Sequence, residues 1–472
     1  MKEFAADPIG FLWERYRKHG PIFKTNLGGP LVFMIGPEAN RFVLRDHTEH
    51  FSWAQGWPKY VRLVWGDDVL VMKDGEEHRR FRQMFAPAFA HSTLTNIFEY
   101  VVDSADEYVE SWIASKPDQF FYDAKTLVFE WMFSWLAGDI RRAGETRHVA
   151  LKLFNDFTEI PQVRQGGWSP ANFNTPESVA LRRRKFGAKA RLHQYFTSVA
   201  ERARRQPEES VIGLLATQPV KGEDAPLTND QIADHALLFL VTGADATAVA
   251  FTWAVYELYN HPEVRQRVRE EVDRIVGNET ITWKHVQQMN YLECYLKEIE
   301  RMHPPLGGVR KVIEPFQFGG CTVPAGWQIR LAAIISHFLP EVFKDPERFD
   351  PDRFAAPREE DRRTPYSMIG FGAGHRQCTG KPLALVLMQA MIAKMVKDYD
   401  WVAPEGQDLT PTLYNRAVFV PKDMLRVRFS KRDRTGSGIA LIEGRSSESA
   451  GLAKRPHSKS PRANEPASST AN

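Results

Sequence analysis

Phe371-Gly-Ala-Gly-His-Arg-Gln-Cys378-Thr-Gly-Lys-Pro-Leu-Ala384 is a glycine-punctuated loop that presents one cysteine and then runs into a helix. Gly372 and Gly374 reach backbone angles closed to other residues, so the loop can turn tightly and approach a flat ligand. From Leu383 to Val396 apolar residues recur with helical periodicity, which puts Cys378 just before a helix N-terminus. Free N–H groups and the positive dipole end favour a thiolate there. A thiolate in an apolar cradle with one open face suits a haem iron, since an anionic sulfur pushes electron density toward bound oxygen. A lone cysteine is more often a small buried hydrophobe; the ten residues from Phe371 to Gly380 argue for a ligand.

Working outward, 472 residues allow two or three domains or one large helical domain, and the motif spacing favours the latter. Hydrophobic residues at 43% and charged residues at 26% describe an ordinary globular protein. Twelve tryptophans and thirty phenylalanines predict a large aromatic interior. A net charge of +3, with no zinc-finger or similar module, gives no footprint for nucleic acid. Cys294, Cys321 and Cys378 form no disulfide framework and fit a reducing compartment, the cytoplasm. The opening Met1-Lys-Glu-Phe-Ala-Ala-Asp-Pro8 lacks an apolar leader, so no membrane anchor is expected.

The loop resembles the haem-ligand loop of the cytochrome P450 family, FxxGxRxCxG, through Phe371, Gly374, Arg376, Cys378 and Gly380. The resemblance implies a mainly α fold with small β-sheets, one large domain over residues 1–430. It implies haem b (iron protoporphyrin IX) with Cys378 as its metal ligand and Phe371, Gly372, Gly374, Arg376 and Gly380 around it. The start of the chain agrees: a short amphipathic helix from Ile9 to His19, then a hairpin of Ile22–Thr25 and Leu31–Ile35 turning at Gly28-Gly29-Pro30, then a helix from Gly36-Pro37. Trp53, Trp57, Tyr60 and Trp65 fall in the variable stretch that roofs the family's pocket and suggest a lipophilic substrate. His78 and Arg82 stand four apart on one helix face and match the family's propionate-holding pair, although tryptophan is commoner at the first position. Arg310 matches a further propionate contact.

Ile232 to Tyr259 reads as one long helix stopped at Asn260-His261-Pro262. It nearly has the length of a membrane span, but a charge such as Asp245 at a bilayer centre costs about 3 kcal/mol or more. A helix crossing a domain core is the reading. The family places [A/G]-G-x-[D/E]-T-[T/S] here, over the distal face of the haem; this chain has Thr242-Gly243-Ala244-Asp245-Ala246-Thr247. By resemblance Gly243 leaves room for oxygen where the helix bulges, and Asp245 is the family's acid. Ala246 replaces the alcohol that helps deliver protons to dioxygen, and Thr247 lies about 100° further round the helix. A substrate hydroxyl with ordered water, direct use of peroxide, or rearrangement without dioxygen can each meet that departure. The Arg-Pro pair of fatty-acid peroxygenases is missing, so monooxygenation is the expectation. A peroxygenase or haem-thiolate isomerase is the alternative, and a non-catalytic haem sensor a third.

Glu298 and Arg301, at i and i+3, match the family's ExxR, and Arg353 in Phe349-Asp-Pro-Asp-Arg353-Phe354 matches FxPxRF. Together they imply a buried network behind the cysteine loop, whose rupture costs about 3–5 kcal/mol. Thr93 to Ala137 is helical without further signal. Gly166 to Pro176 is turn-rich and by the resemblance forms the lid between two roof helices; a helix opening at Arg182-Arg-Arg-Lys185 with a solvated face follows. Pro304 to Val309 and Val418-Phe419 are expected along the pocket. Residues 431–472, without Phe, Trp or Tyr, read as a disordered tail. No flavin or Rossmann glycine motif is visible. The implied partners are therefore O2, a lipophilic small molecule, and a separate ferredoxin or flavodoxin with its reductase; Arg79 and Arg80 are candidates to dock it. A monomer is expected.

Overall fold

The computed structural model describes residues 2–158, 175–219, 226–414 and 418–433. Most of the expected lid, at 166–174, and the tail beyond 433 lie outside the described residues.

Helix α1 (Pro8–His19) starts at Asp7, whose carboxylate accepts from the Gly10 N–H at 2.8 Å, and ends at Gly20. It leads into a five-stranded sheet of β1 (Ile22–Asn26), β2 (Pro30–Met34), β3 (Phe51–Ser52), β4 (Val309–Val312) and β5 (Gln328–Leu331). The spatial order is β1-β2-β5-β4-β3. The predicted hairpin pairs Ile22 with Met34 in antiparallel register, while β5 lies parallel to β2 and antiparallel to β4. Side chains alternate across this sheet. Leu31 and Phe33 join the main core; Val32, Met34, Ile329 and Leu331 join a second cluster with Phe51, Val312, Phe316 and Ile369.

Beyond the sheet the chain is helical. Helix α2 (Gly75–Phe85) carries His78 and Arg82. Helices α3 (His91–Ser115), α4 (Phe120–Ala137), α5 (Glu145–Thr158) and α6 (Pro176–Arg205) surround the centre. Two expectations shift here. The stretch after Phe51 contains a helix, Lys59–Trp65, and α6 begins at Pro176, six residues before Arg182. The Thr175 hydroxyl caps α6 by accepting from the Ser178 N–H, and Pro176 sits at its first turn, where its missing N–H costs nothing.

Helix α7 (Asn229–Asn260) crosses the core against α4 and α6. A capping box opens it: Thr228 Oγ1 accepts from the Gln231 N–H and Gln231 Oε1 from the Thr228 N–H. Apolar nearly all round, it is buried for most of its length. The helix is continuous through Gly243, so the expected bulge is not present. A Cβ at Gly243 would instead meet Met132 Cε at 2.6 Å, so glycine here lets α4 approach. Helix α8 (Asn290–Met302) carries Glu298 and Arg301, and α9 (Lys381–Asp398) follows the cysteine loop, with Pro382 in its first turn.

Candidate active site

The loop closes on itself where the Cys378 N–H donates to the Phe371 carbonyl at 2.8 Å. Gly372 and Gly374 both hold left-handed angles, φ +68° and +65°, and a side chain at Gly374 would strike the Leu44 carbonyl. Cys378 is accessible in this setting. Burial pushes its thiol up, against the pull of the Gly380 and Lys381 N–H groups. The N–H groups at the helix N-terminus pull toward the thiolate as expected while desolvation opposes them, and a coordinated metal ion removes such a proton outright.

Behind the loop, Glu298, Arg301 and Arg353 are fully buried and do converge. Glu298 accepts from Arg301 Nε at 2.7 Å, Arg301 Nη2 at 2.8 Å, Arg353 Nε at 3.1 Å and the Asp350 N–H at 2.8 Å. Arg301 also donates to the carbonyls of His337 and Pro346, and Arg353 to Glu360 Oε2 at 2.8 Å. The network reaches the loop through His337. Its Nδ1 donates to the Arg301 carbonyl and its Nε2 accepts from the Ile369 N–H at 2.9 Å. Burial holds that imidazole neutral, pushed down to about 3. Glu300 grips both ends of the loop, accepting from the Phe371 N–H at 3.3 Å and facing Lys381 Nζ at 3.7 Å. Glu360, His337 and Glu300 were not read from sequence. Glu300 lies inside the ExxR segment and was the most accessible of the three.

In front of the loop the charges do not balance. Arg376 donates to the Lys73 carbonyl at 2.6 Å and pairs with Asp74. Arg310 is buried with its guanidinium 4.7 Å from the Trp53 ring. Burial pushes both arginines down to about 10. Arg82 donates to the Gln377 and His375 carbonyls on the loop itself. His78 is buried with Nδ1 lacking a partner, pushed down to about 3 by burial and then by Arg376 and Arg82. Asp74 is the carboxylate that Arg376, Arg310 and His78 share, and it already accepts from the Trp53 N–H at 3.0 Å and the Ser52 hydroxyl. Three arginines and a histidine around one carboxylate make a seat for a ligand with more than one negative charge.

On α7, Thr242 and Ala246 are exposed and Ala250 half-exposed within an otherwise buried helix. Spaced by four, they form one bare stripe, to which Ala246 belongs. Thr247 does not: it is buried at 6% exposure. The Thr242 hydroxyl donates back to the Leu238 carbonyl at 2.7 Å. Asp245 forms an ion pair with Lys125 Nζ of α4 at 2.8 Å. Lys125, 5% exposed, also reaches Thr158 Oγ1 at 3.2 Å and the Tyr414 hydroxyl at 3.5 Å. This partner went unread, although a lysine among Phe120, Phe121, Leu127, Val128 and Phe129 is the kind of outlier that demands a counter-charge.

A family profile described as Cytochrome P450 matches residues 3–429. The chain belongs to the cytochrome P450 family. It is 28% identical over 423 residues to a "Putative cytochrome P450 120" of Synechocystis sp., spanning 88% of this chain and 90% of that protein. To "Cytochrome P450 26B1" of Danio rerio it is 28% identical, over 91% of this chain and 84% of the relative. A solved structure, "Retinoic acid bound cyanobacterial CYP120A1", superposes with a TM-score of 0.79 at 27% identity, covering 91% of this chain and 95% of that one.

As a P450 the protein is a haem b oxidoreductase, a monooxygenase that uses O2, a lipophilic substrate and a redox partner. Its residues fit the cofactor. The P450's accessible cysteine, tight glycine loop, orphaned His78 Nδ1 and surplus of buried cations are what a flat dianionic macrocycle requires. Among the described residues one helix, Asn229–Asn260, is long and apolar enough to cross a membrane; 67% of its apolar window is buried in this core, and the Asp245–Lys125 pair lies within it.

Proposed function

We propose that residues 1–430 form a catalytic domain that inserts one oxygen atom from O2 into a lipophilic small molecule. Electrons come from a separate ferredoxin or flavodoxin, and the protein acts as a cytoplasmic monomer. Cys378 is the thiolate ligand of the haem, cradled by Phe371, Gly372, Gly374, Arg376 and Gly380, and His78, Arg82 and Arg310 hold the propionates. When bound, the haem supplies the redox chemistry that activates dioxygen. The chain's own part is to hold the thiolate, neutralise the propionates and set proton access on the other face. There Asp245 pairs with Lys125 Nζ, Gly243 keeps α4 close, and Ala246 offers a methyl where a hydroxyl would relay protons. A substrate hydroxyl or ordered water beside Ala246 takes over that relay, with Thr247 held in the packing behind it.

The observation that carries this reading is the cationic excess of Arg310, Arg376 and Arg82, with Asp74 beside the first two, together with His78, near an accessible Cys378. The retinoic acid bound by the superposing cyanobacterial protein supports a substrate of long apolar shape. The purified protein is expected to give the red-shifted CO band of a thiolate-bound ferrous haem, and product formation is expected to need NAD(P)H, redox partner and O2 together. A CO complex without that shift would sink the assignment. Ala246 on the bare stripe favours a second reading, a peroxygenase; full turnover with hydrogen peroxide alone would select it.

A further inference from the structure

We propose that Arg330 anchors the carboxylate of the substrate, and that the protein therefore acts on lipophilic monocarboxylic acids. This rests on the monooxygenase reading above and names the class of molecule its pocket takes.

Strand β5 reads Gln328-Ile-Arg-Leu331, and the sheet decides where each residue goes. Ile329 and Leu331 enter the second cluster. Arg330 emerges on the other face, directly opposite Phe33 of β2 and Val309 of β4. Both neighbours belong to the main core, Phe33 fully buried and Val309 packed against it. A guanidinium is thus sent toward the hydrophobic side of the sheet, at the end of the 304–309 segment expected to wall the pocket.

Among the described residues nothing answers it. Arg330 Nε is inaccessible and without a hydrogen-bond partner, and among the described residues no carboxylate pairs with it. The residue is nevertheless half-buried rather than sealed, so its side chain borders open space. Burial is the one influence on its basicity, pushing it down to about 10, which leaves it charged at neutral pH. Elsewhere, Glu298 answers buried Arg301 and Arg353, and Asp74 stands by Arg310 and Arg376. A desolvated, unpaired guanidinium is unfavourable unless an anion arrives.

Haem propionates are not that anion. Arg310 is paired with Ile329 in the β4–β5 ladder, so it leaves the sheet on the face opposite to Arg330. Arg376 lowers the basicity of Arg310, whereas no charged group shifts Arg330. The two basic sites are separate. A single planar fork matches a single carboxylate through two parallel N–H···O bonds, while a hydrocarbon, sterol or alcohol would leave the charge uncompensated.

The test compares acids with the alcohols of the same skeleton on the haem-loaded protein: hexadecanoic acid with hexadecan-1-ol, and retinoic acid with retinol. Binding is read by the ferric spectral shift and independently by calorimetry. The wild type is expected to bind each acid at least about ten-fold more tightly than its alcohol, about 1.4 kcal/mol. Arg330→Met, similar in size and lacking the charge, should erase that preference while alcohol binding stays unchanged. Arg330→Lys should keep part of it. Arg330→Met removes an unpaired interior charge, so it should fold, with thermal stability of the ligand-free protein equal or higher.

Equal affinity for acid and alcohol, no binding of either acid, or a preference surviving in Arg330→Met would each overturn the proposal. A normal thiolate CO band with no acid preference sinks the anchor and spares the monooxygenase reading. Loss of that band sinks the latter, while calorimetry still reads the acid preference.

Discussion

Behind the cysteine loop, Glu298, Arg301, Arg353 and Glu360 lie buried with their charges and N–H groups met by each other and by nearby carbonyls. In front of it, Arg310, Arg376 and His78 share Asp74, Arg82 lies beside them, and His78 Nδ1 has no hydrogen-bond partner. Both clusters hold arginines around carboxylates, and both bear on the same loop. The first is complete in the chain alone and fixes the loop in place. The second is complete only with a ligand, so part of its interaction free energy is reserved for binding. Charge balance, more than burial or composition, separates frame from site.

The contrast breaks most sharply at Glu298. Glu298→Ala leaves two buried guanidinium groups without their carboxylate, and a loss of about 3–5 kcal/mol is expected in urea unfolding, with or without haem. A loss seen only in the haem-loaded protein would reverse the assignment of frame and site.

Acid should expose a second complete cluster. Burial alone would raise Glu257, but His261 at 3.2 Å and His303 at 2.8 Å outweigh it and hold the carboxyl at about 2, against an ordinary 4.5. A depressed carboxyl contributes stability present above its unfolded value and lost as pH falls through the folded one. Between pH about 4.5 and 2 the protein should therefore lose on the order of 3 kcal/mol. Glu257→Gln is expected to flatten that slope in pH-dependent unfolding.

Arg310→Met sharpens the other side. It removes a buried cation that only the ligand fully satisfies, so the haem-free protein should be as stable or more so. The haem-loaded protein should lose about 1.5–3 kcal/mol, the worth of hydrogen bonds to a charged group, visible as faster haem transfer to apomyoglobin. Smallest in stability is Ala246→Thr, within about 0.5 kcal/mol for a position on the bare stripe. Its expected effect is chemical: more product per NAD(P)H consumed. Unchanged coupling would show that the relay already runs without a side-chain hydroxyl.

Local patterns carried much of this through the sequence. The long helix, the hairpin, Glu298 with Arg301, and the cysteine loop could be read because each is written in adjacent residues or fixed spacings. What escaped depends on neighbours distant in the chain. Gly243 can be read as room for oxygen, but that Met132 of another helix packs against it is visible only in the fold. Asp245 looked like a lone acid until α4 brought Lys125 to it. The helix-end pull on the Cys378 thiol could be read locally, but the desolvation that opposes it is set only by the fold. Gln328-Ile-Arg-Leu331 alternates plainly, yet which face meets the main core follows from pairing with Phe33 and Val309.

Thr242, Ala246 and Ala250 repeat at intervals of four residues, about 6 Å of helix rise each. Small groups at regular stations make a graduated scale along one wall. A leucine at Ala250 or at Ala246 would stop an incoming chain at different marks, shifting the carbon presented for oxidation by roughly the 6 Å between them, about five methylene units of an extended tail. Substrate length in this protein should then be tunable one station at a time, without touching the iron's own ligands.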